Sequence, residues 1–298
     1  MGAAQSAARG AMPPSGTAHA IRDGGPAGPT TARRDAARSQ DDRDVARGPD
    51  DRVGPRGGSS AGDAAALSSQ VAVLALADLV PASRGWGWSR FVLGRHAVRG
   101  AAGLRFVKVL GSGEGGGFGV KPSASIQGVF GVFDDAASAD AFLAATGPFE
   151  SWRRRAREHF SVKLRAWSSR GSWSGFRFAI GARAPGADAG VPVAALTRAS
   201  IRLSRARAFW SMEPAAERDL ERASGCLVAA GVGEAPLLRQ ATFSVWESVA
   251  AMDAYARTGA HLAAIRASAQ GAFFSESAFV RFVPYDARGT WRGRRLDA

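Results

Sequence analysis

The sequence is poor in residues that form cross-links and metal sites. It contains one cysteine, Cys226, in 298 residues, which excludes an internal disulfide and a zinc site built from several cysteines. No apolar run reaches the roughly 18 residues that a membrane-spanning helix requires. The spacings of helix-turn-helix, zinc-finger and RNA-binding strand motifs are also absent, which argues against a nucleic-acid partner. These absences favour a cytoplasmic protein in a reducing compartment.

The positive charge lies mainly outside the N-terminal region. Residues 1–67 carry nine Arg and eight Asp and lack the apolar core of a signal peptide. We predict that they form a disordered extension or precede the true start of translation. Most of the formal net charge of +13 therefore falls on the rest of the chain. That charge suits an acidic redox partner or a peripheral contact with an anionic membrane surface.

The remaining chain is duplicated, because three segments recur in the same order. Residues 71–74, 130–142 and 170–173 align with residues 193–196, 243–255 and 288–291. Repetition at this scale indicates two copies of one structural unit.

Both copies are interpreted as strand, helix, strand, strand, helix, strand, with a range for the first helix assigned only in the first copy. Apolar alternation and runs of β-branched residues indicate strands, and Asp134 or Asp135 and Ser248 are placed to cap helices. In the first copy we predict strands at 71–79, 103–110, 125–133 and 161–167, and helices at 88–93, 136–145 and 152–159. In the second copy we predict strands at 194–203, 226–232, 240–246 and 278–285, and helices at 249–257 and 261–269.

These elements predict an α+β fold. Each copy is a ferredoxin-like β-α-β-β-α-β unit with helices on one sheet face, and the other face has to be buried against a partner sheet. Two tandem units on one chain can bury these faces against each other in an α+β barrel. We place the first repeat at residues 68–178, a linker rich in small and turn-forming residues at 179–191, and the second repeat at 192–298.

Nine short motifs lie in order along the folded part of the chain. They are residues 110–114, 117–119, 196–199, 209–210, 240–246, 251–255, 259–265, 273–276 and 281–282. As an ordered set they resemble the spheroidene monooxygenases. The resemblance extends from about residue 71 to residue 291, whereas the N-terminal extension and a longer glycine-rich turn at 114–117 depart from the family pattern.

The resemblance implies a haem-dependent monooxygenase related to dimeric α+β barrels. Such an enzyme takes electrons from a ferredoxin and oxidises an acyclic carotenoid to a keto-carotenoid. A haem iron needs one strong protein ligand: imidazole, thiolate or phenolate.

Among the four histidines, His261 is the candidate iron ligand. His19 lies in the N-terminal extension, His96 in an Arg-flanked loop, and His159 at the predicted end of an Arg-rich helix. His261 begins a helical segment with small residues beside it, and its counterpart in the first repeat is Pro148, so the repeats differ there. The alternative is a surface histidine near a helix N-terminus.

Other residues complete the predicted site. Cys226, Tyr255 and Tyr285 are weaker ligand candidates. We assign Arg198 and Arg239 to the haem propionates, because arginine matches carboxylate geometry, although a solvent-facing role remains open for both. Trp246 is also assigned to the cofactor site. The apolar pocket for the polyene is assigned to Trp210, Phe118 and Phe273.

Two other functions remain open. A haem lyase of the aldoxime dehydratase type would need neither oxygen nor an electron donor. A non-catalytic α+β barrel that binds a small molecule would be colourless when purified from a haem-replete host.

Overall fold

The computed structural model describes the chain from Leu67 to Leu296 with interruptions. The described ranges are 67–98, 100–117, 119, 121–187, 189–211, 219–220, 222–235, 238–257 and 273–296. The predicted N-terminal extension, the predicted helix at 261–269, His261 and Phe118 lie outside them.

The first repeat has the predicted β-α-β-β-α-β order, with one additional short helix. Asp135 caps the second helix, since its side chain accepts a hydrogen bond from the Ser138 amide at 2.8 Å. The elements are β1 (Val71–Leu79), α1 (Arg84–Leu93), β2 (Leu104–Gly113), β3 (Pro122–Phe133), α2 (Ala136–Leu143), α3 (Glu150–Arg153) and β4 (Ala156–Gly171).

The second repeat follows the same plan. Ser248 caps its second helix by accepting a hydrogen bond from the Ala251 amide at 3.1 Å, at the position equivalent to Asp135. The elements are β5 (Val193–Ile201), α4 (Ala206–Trp210), β6 (Cys226–Ala235), β7 (Arg239–Trp246), α5 (Val249–Ala256) and β8 (Phe274–Gly289).

The eight strands form one closed antiparallel barrel in the order β1-β3-β2-β6-β7-β5-β8-β4. Within each repeat the registers are equivalent: Leu74 pairs with Phe130, and Leu196 pairs with Phe243. The repeats join along β4 and β8, which pair over most of their length, and at Gly111 with Gly233 between β2 and β6. The predicted fold of two ferredoxin-like repeats closed into an α+β barrel is therefore confirmed.

The ends of β4 and β8 carry the same turn. Gly171 and Gly289 have φ of 75° and 79°, and a Cβ at either would come within 2.1 Å of a carbonyl oxygen of the other repeat. Ser174 and Arg292 follow with φ of 51° and 52°. The two repeats thus have the same backbone conformation in these turns, and each turn packs closely on the other repeat.

One apolar core fills the barrel. It combines inward-facing residues from the strands of both repeats, including Leu74, Phe130, Leu196 and Phe243, with Trp173 from the turn after β4. Full burial of such side chains contributes about 1.5–3 kcal/mol each. The interior is therefore a packed core, and a long ligand has to bind outside it.

The structure corrects two of the sequence assignments. The sequence predicts His159 at the end of a helix, but His159 lies in β4. Helix α3 ends at Arg153, and the chain is already extended at Ala156. The short helix α4 was not predicted. It contains only five residues, too few for a helical period to stand out.

Candidate functional site

The sheet of the second repeat presents small side chains on its outward face. Cross-strand pairing places Thr197 between Thr242 and Phe279, with Gly231 beyond Thr242. In the neighbouring rows, Ala195, Ser244 and Ala229 lie beside Arg281, and Ala199 and Gly233 lie on either side of Gln240. We call this surface the small-residue face, defined by Ala195, Thr197, Ala199, Ala229, Gly231, Gly233, Thr242 and Ser244.

Large apolar residues border the small-residue face. The ring of Phe279 is 44% exposed, which is unusual for an aromatic residue in the middle of a strand. At the other end Trp246 is buried, with its ring centroid 5.0 Å from that of Tyr255 and its indole N–H donated to Ser244 Oγ at 2.9 Å. A flat apolar group could lie over this face and contact both borders.

The corresponding face of the first repeat is covered. Val73, Ala75 and Val129 lie there, fully buried under residues of the surrounding helices such as Trp152. Among the described residues, the cluster on the second repeat is centred on Trp246, Val249 and Met252. Among the described residues, the two halves of the barrel therefore differ in what packs on their outward faces.

Arg198 points in the opposite direction, into the barrel. Its side chain is 2% exposed and is held by Glu276 at 2.6 Å and Glu234 at 3.0 Å. Lys108 of the first repeat contacts the other oxygen of Glu234 at 2.7 Å, and the Trp173 indole N–H donates to the same carboxylate. Both terminal nitrogens of Arg198 are thus engaged in a network that crosses between the repeats.

The two carboxylates of this network are stabilised in their ionised form. Burial opposes ionisation of Glu234, but hydrogen bonds from Lys108 and Trp173 and the nearby positive charges outweigh it, so its pKa is lowered. Burial likewise opposes ionisation of Glu276. Hydrogen bonds from Gly175, Ser174 and Ser172, together with the charge of Arg198, nevertheless lower its pKa from 4.5 to about 2.

We expect Glu276→Gln to destabilise the protein by about 1.5–3 kcal/mol at neutral pH, the usual range for a hydrogen bond to a charged group. The pKa of Glu276 is lower in the folded state than its ordinary value, so its contribution is complete above pH 4.5 and is lost as the pH falls toward 2. Denaturant unfolding of wild type and variant across this range would measure the difference.

Glu158→Gln is the matched control for that prediction. Glu158 accepts hydrogen bonds from Thr290 and Gly293 at 2.9 Å, as Glu276 does from the equivalent turn, but Leu76 stands where Arg198 would be. Glu158→Gln should lower the free energy of unfolding by less than Glu276→Gln does. Equal losses would contradict a special contribution from Arg198.

A polar cavity of about 500 Å³ opens at the barrel end formed by the first repeat. Asp78 is buried there, and its Oδ2 contacts Arg157 at 2.7 Å, whereas Oδ1 has no hydrogen-bond partner among the described residues. The lining of this cavity includes Asp78, Arg84, Glu114, Arg157, Glu158 and Trp291. Charged walls of this kind are unsuited to an apolar chain.

The sulphur of Cys226 is poorly placed to act as an anionic ligand. Burial raises the pKa of the thiol to about 11, and the Sγ lies 3.7 Å from the Val228 carbonyl oxygen, to which it donates. Burial also raises the pKa of Tyr255. Within the described ranges, no group of three or more His, Cys, Asp and Glu side chains could hold a metal ion.

The structure separates the residues that the sequence assigned to one site. Trp246 borders the small-residue face, Arg198 faces the barrel interior, and Arg239 is exposed at the start of β7. Trp210 and Phe273 both contact the ring of Phe209, at centroid distances of 5.4 and 6.5 Å. His261 and Phe118 lie outside the described residues, so their assignments stay predictions.

Sequence reasoning missed the partners of Arg198 and the exposed ring of Phe279. A signal for the first was present, since Arg198, Glu234 and Glu276 each share the strand phase of inward-facing apolar residues. A charge in that phase has to be paired when it is buried.

Comparison with known proteins gives clear relatives by sequence. No protein-family model matches the chain. Spheroidene monooxygenase of Rubrivivax gelatinosus is 56% identical over 225 residues, which cover 76% of this chain and 86% of that protein. Spheroidene monooxygenase of Rhodobacter capsulatus is 34% identical over 210 residues, 70% of this chain and 87% of that protein.

Similarity to solved structures is more distant. A crystal structure of aldoxime dehydratase matches 73% of this chain and 81% of its own, with 12% identity and a TM-score of 0.46. Among the residues that the structure describes, no helix has the length and apolar character needed to cross a bilayer.

Proposed function

The chain belongs to the spheroidene monooxygenase family, and we propose that it oxidises an acyclic carotenoid to a keto-carotenoid with haem, dioxygen and electrons from a ferredoxin. The observation that carries this proposal is the 56% identity over 86% of the Rubrivivax gelatinosus protein. That similarity includes both repeats, since 225 aligned residues exceed either repeat alone.

The small-residue face fits the proposed cofactor. A porphyrin is flat and apolar over most of its area, and it can approach a sheet closely only where side chains are small. Thr197, Thr242 and Gly231 provide such a surface, and Trp246 offers an aromatic border. We propose that haem lies on this side of the second repeat, with the imidazole of His261 as its iron ligand.

Arg239 is the more accessible of the two proposed propionate partners, at the start of β7 and in the inward strand phase of Ala241. Its side chain is exposed, and it forms no salt bridge within the described part of the chain. The guanidinium of Arg198 is already bound by Glu234 and Glu276 on the interior side of the sheet. Arg198 would then support the site by fixing β5, β6 and β8 relative to one another.

Bound haem would supply the activation of dioxygen that inserts oxygen into an unreactive C–H bond. Two successive hydroxylations of one allylic methylene, each consuming dioxygen and a pair of electrons, give a geminal diol that loses water to become the ketone. The residues of this chain orient the substrate and exclude water. Since the barrel interior is packed, the polyene has to bind on the outer side, where the exposed ring of Phe279 can contact it.

The proposal is tested by turnover with the purified full-length protein. Haem-loaded protein, reduced ferredoxin and an acyclic carotenoid in detergent should give a ketone whose oxygen derives from isotopically labelled dioxygen, as measured by mass spectrometry. Omitting ferredoxin or dioxygen is the control and should abolish the product. Ketone that forms in the absence of ferredoxin or of dioxygen would contradict the monooxygenase proposal.

A further inference from the structure

Helix α1 exposes a large apolar surface to solvent. Val92 is 80% exposed, Trp88 is 50% exposed and Leu93 is 43% exposed. Trp88 and Val92 are four residues apart and therefore lie on the same side of the helix. A soluble protein gains nothing from leaving neighbouring Trp, Val and Leu side chains in water, so this cluster calls for a partner.

The orientation of α1 is fixed by its opposite side. The ring of Trp86 packs edge-on against buried Trp152 at a centroid distance of 5.4 Å, and Arg155 stacks on Trp86 at 4.5 Å. A Cβ added to Gly87 would lie 2.4 Å from Leu79, so helix and sheet are in close contact there. The helix cannot turn Trp88 and Val92 inward without losing these contacts.

The chain around α1 is strongly basic. From Leu79 to Gly113 the sequence contains six Lys and Arg residues and no Asp or Glu. Arg84, Arg90 and Arg95 form no salt bridge within the described ranges, and the guanidinium of Arg90 lies 5.5 Å from the ring of Trp86. An aromatic and aliphatic cluster flanked by unpaired arginines matches a bilayer surface with anionic headgroups.

We propose that α1 is a membrane-docking helix that binds an anionic lipid surface. Val92, Leu93 and the Trp88 indole enter the boundary between headgroups and acyl chains, where tryptophan is favoured. Arg84 and Arg95 contact the lipid phosphates, whereas Arg90 lies on the Trp86 side of the helix. An acidic protein would pair with the arginines but would gain less from the aliphatic tip of the helix. This surface is independent of the proposed chemistry, because it needs neither haem nor carotenoid.

Flotation of the full-length protein with carotenoid-free vesicles tests the proposal. We expect binding to phosphatidylcholine vesicles that contain phosphatidylglycerol, and at least tenfold weaker binding to pure phosphatidylcholine. Val92→Asp should weaken binding to the anionic vesicles by at least about tenfold, since it places a charge at the inserted tip. Arg95→Glu should weaken it several-fold, and more so at low salt.

Val191→Asp is the matched control, because Val191 is also an exposed valine (41%) but lies before β5, far along the chain from α1. It should bind vesicles like the wild type, and circular dichroism should be unchanged in all three variants. Equal binding of Val92→Asp and Val191→Asp would overturn the proposal. A loss caused by Arg95→Glu without a loss caused by Val92→Asp would also overturn it, and would indicate electrostatic adsorption without insertion of the helix.

Discussion

Replacing His261 with alanine is expected to remove the haem absorption band from the purified protein. In the proposed site the imidazole of His261 would supply the protein's bond to the iron, and without it haem would be held only by apolar contact and propionate pairing. We expect haem occupancy to fall by at least tenfold when wild type and variant are produced in parallel. Occupancy is measured by the visible spectrum and by the pyridine haemochrome assay.

His96→Ala serves as the control for that experiment. His96 lies in a short 3₁₀ turn after α1, on the first repeat, and its loss should leave the spectrum unchanged. Added imidazole should partly restore the band in His261→Ala, which a purely structural loss would not allow. A His261→Ala protein with full haem content would remove His261 from the proposed site.

Arg198→Leu is expected to lower the free energy of unfolding by about 3–5 kcal/mol, the cost of leaving a buried charge without its partner. Arg198 is 2% exposed and contacts both Glu234 and Glu276, so its removal takes away the cation that Glu276 contacts and leaves Glu234 with Lys108 alone. Denaturant unfolding at neutral pH would measure the loss. The deficit should shrink in acid, because protonation neutralises Glu234 and Glu276.

The first repeat supplies a rescue for this variant. Register equivalence places Leu76 where the second repeat has Arg198, and Ser112 where it has Glu234. Arg198→Leu combined with Glu234→Ser copies that arrangement and should recover about half of the lost stability. Failure of the double variant to improve on Arg198→Leu would mean that the loss comes from packing rather than from unpaired charge.

The fold could be predicted from the sequence because an element that is assigned in one repeat supports the assignment of the equivalent element in the other. Segments 130–142 and 243–255 indicate a strand and a helix only weakly when each is taken alone, but their alignment with each other strengthens the prediction for both repeats. The side chains of Asp135 and Ser248 predict where α2 and α5 begin. The lengths of β4 and β8 could not be predicted in the same way. The sequence predicts seven or eight residues for each, but each has 16 residues, because the strand is extended at both ends and one of these ends pairs with the other repeat. Such pairing depends on contacts distant in sequence.

The site was less accessible to prediction than the fold. An arginine in a strand does not reveal which face it occupies until the register is known, so Arg198 and Arg239 were assigned the same role although one faces the core and the other is exposed. Small residues such as Thr197 and Ala199 carry no motif of their own. They can be recognised as one surface only when the pairing of β5, β7 and β8 is known.

Joining both halves of the barrel in one polypeptide has a consequence for how such a protein can change. In a barrel assembled from two identical chains, every substitution occurs twice and both outer surfaces change together. Here, the buried surface over Val73 and Val129 can be kept for rigidity while the surface around Thr197 and Phe279 varies freely. Tandem linkage also makes closure of the barrel independent of protein concentration, so a scarce catalyst remains assembled after dilution.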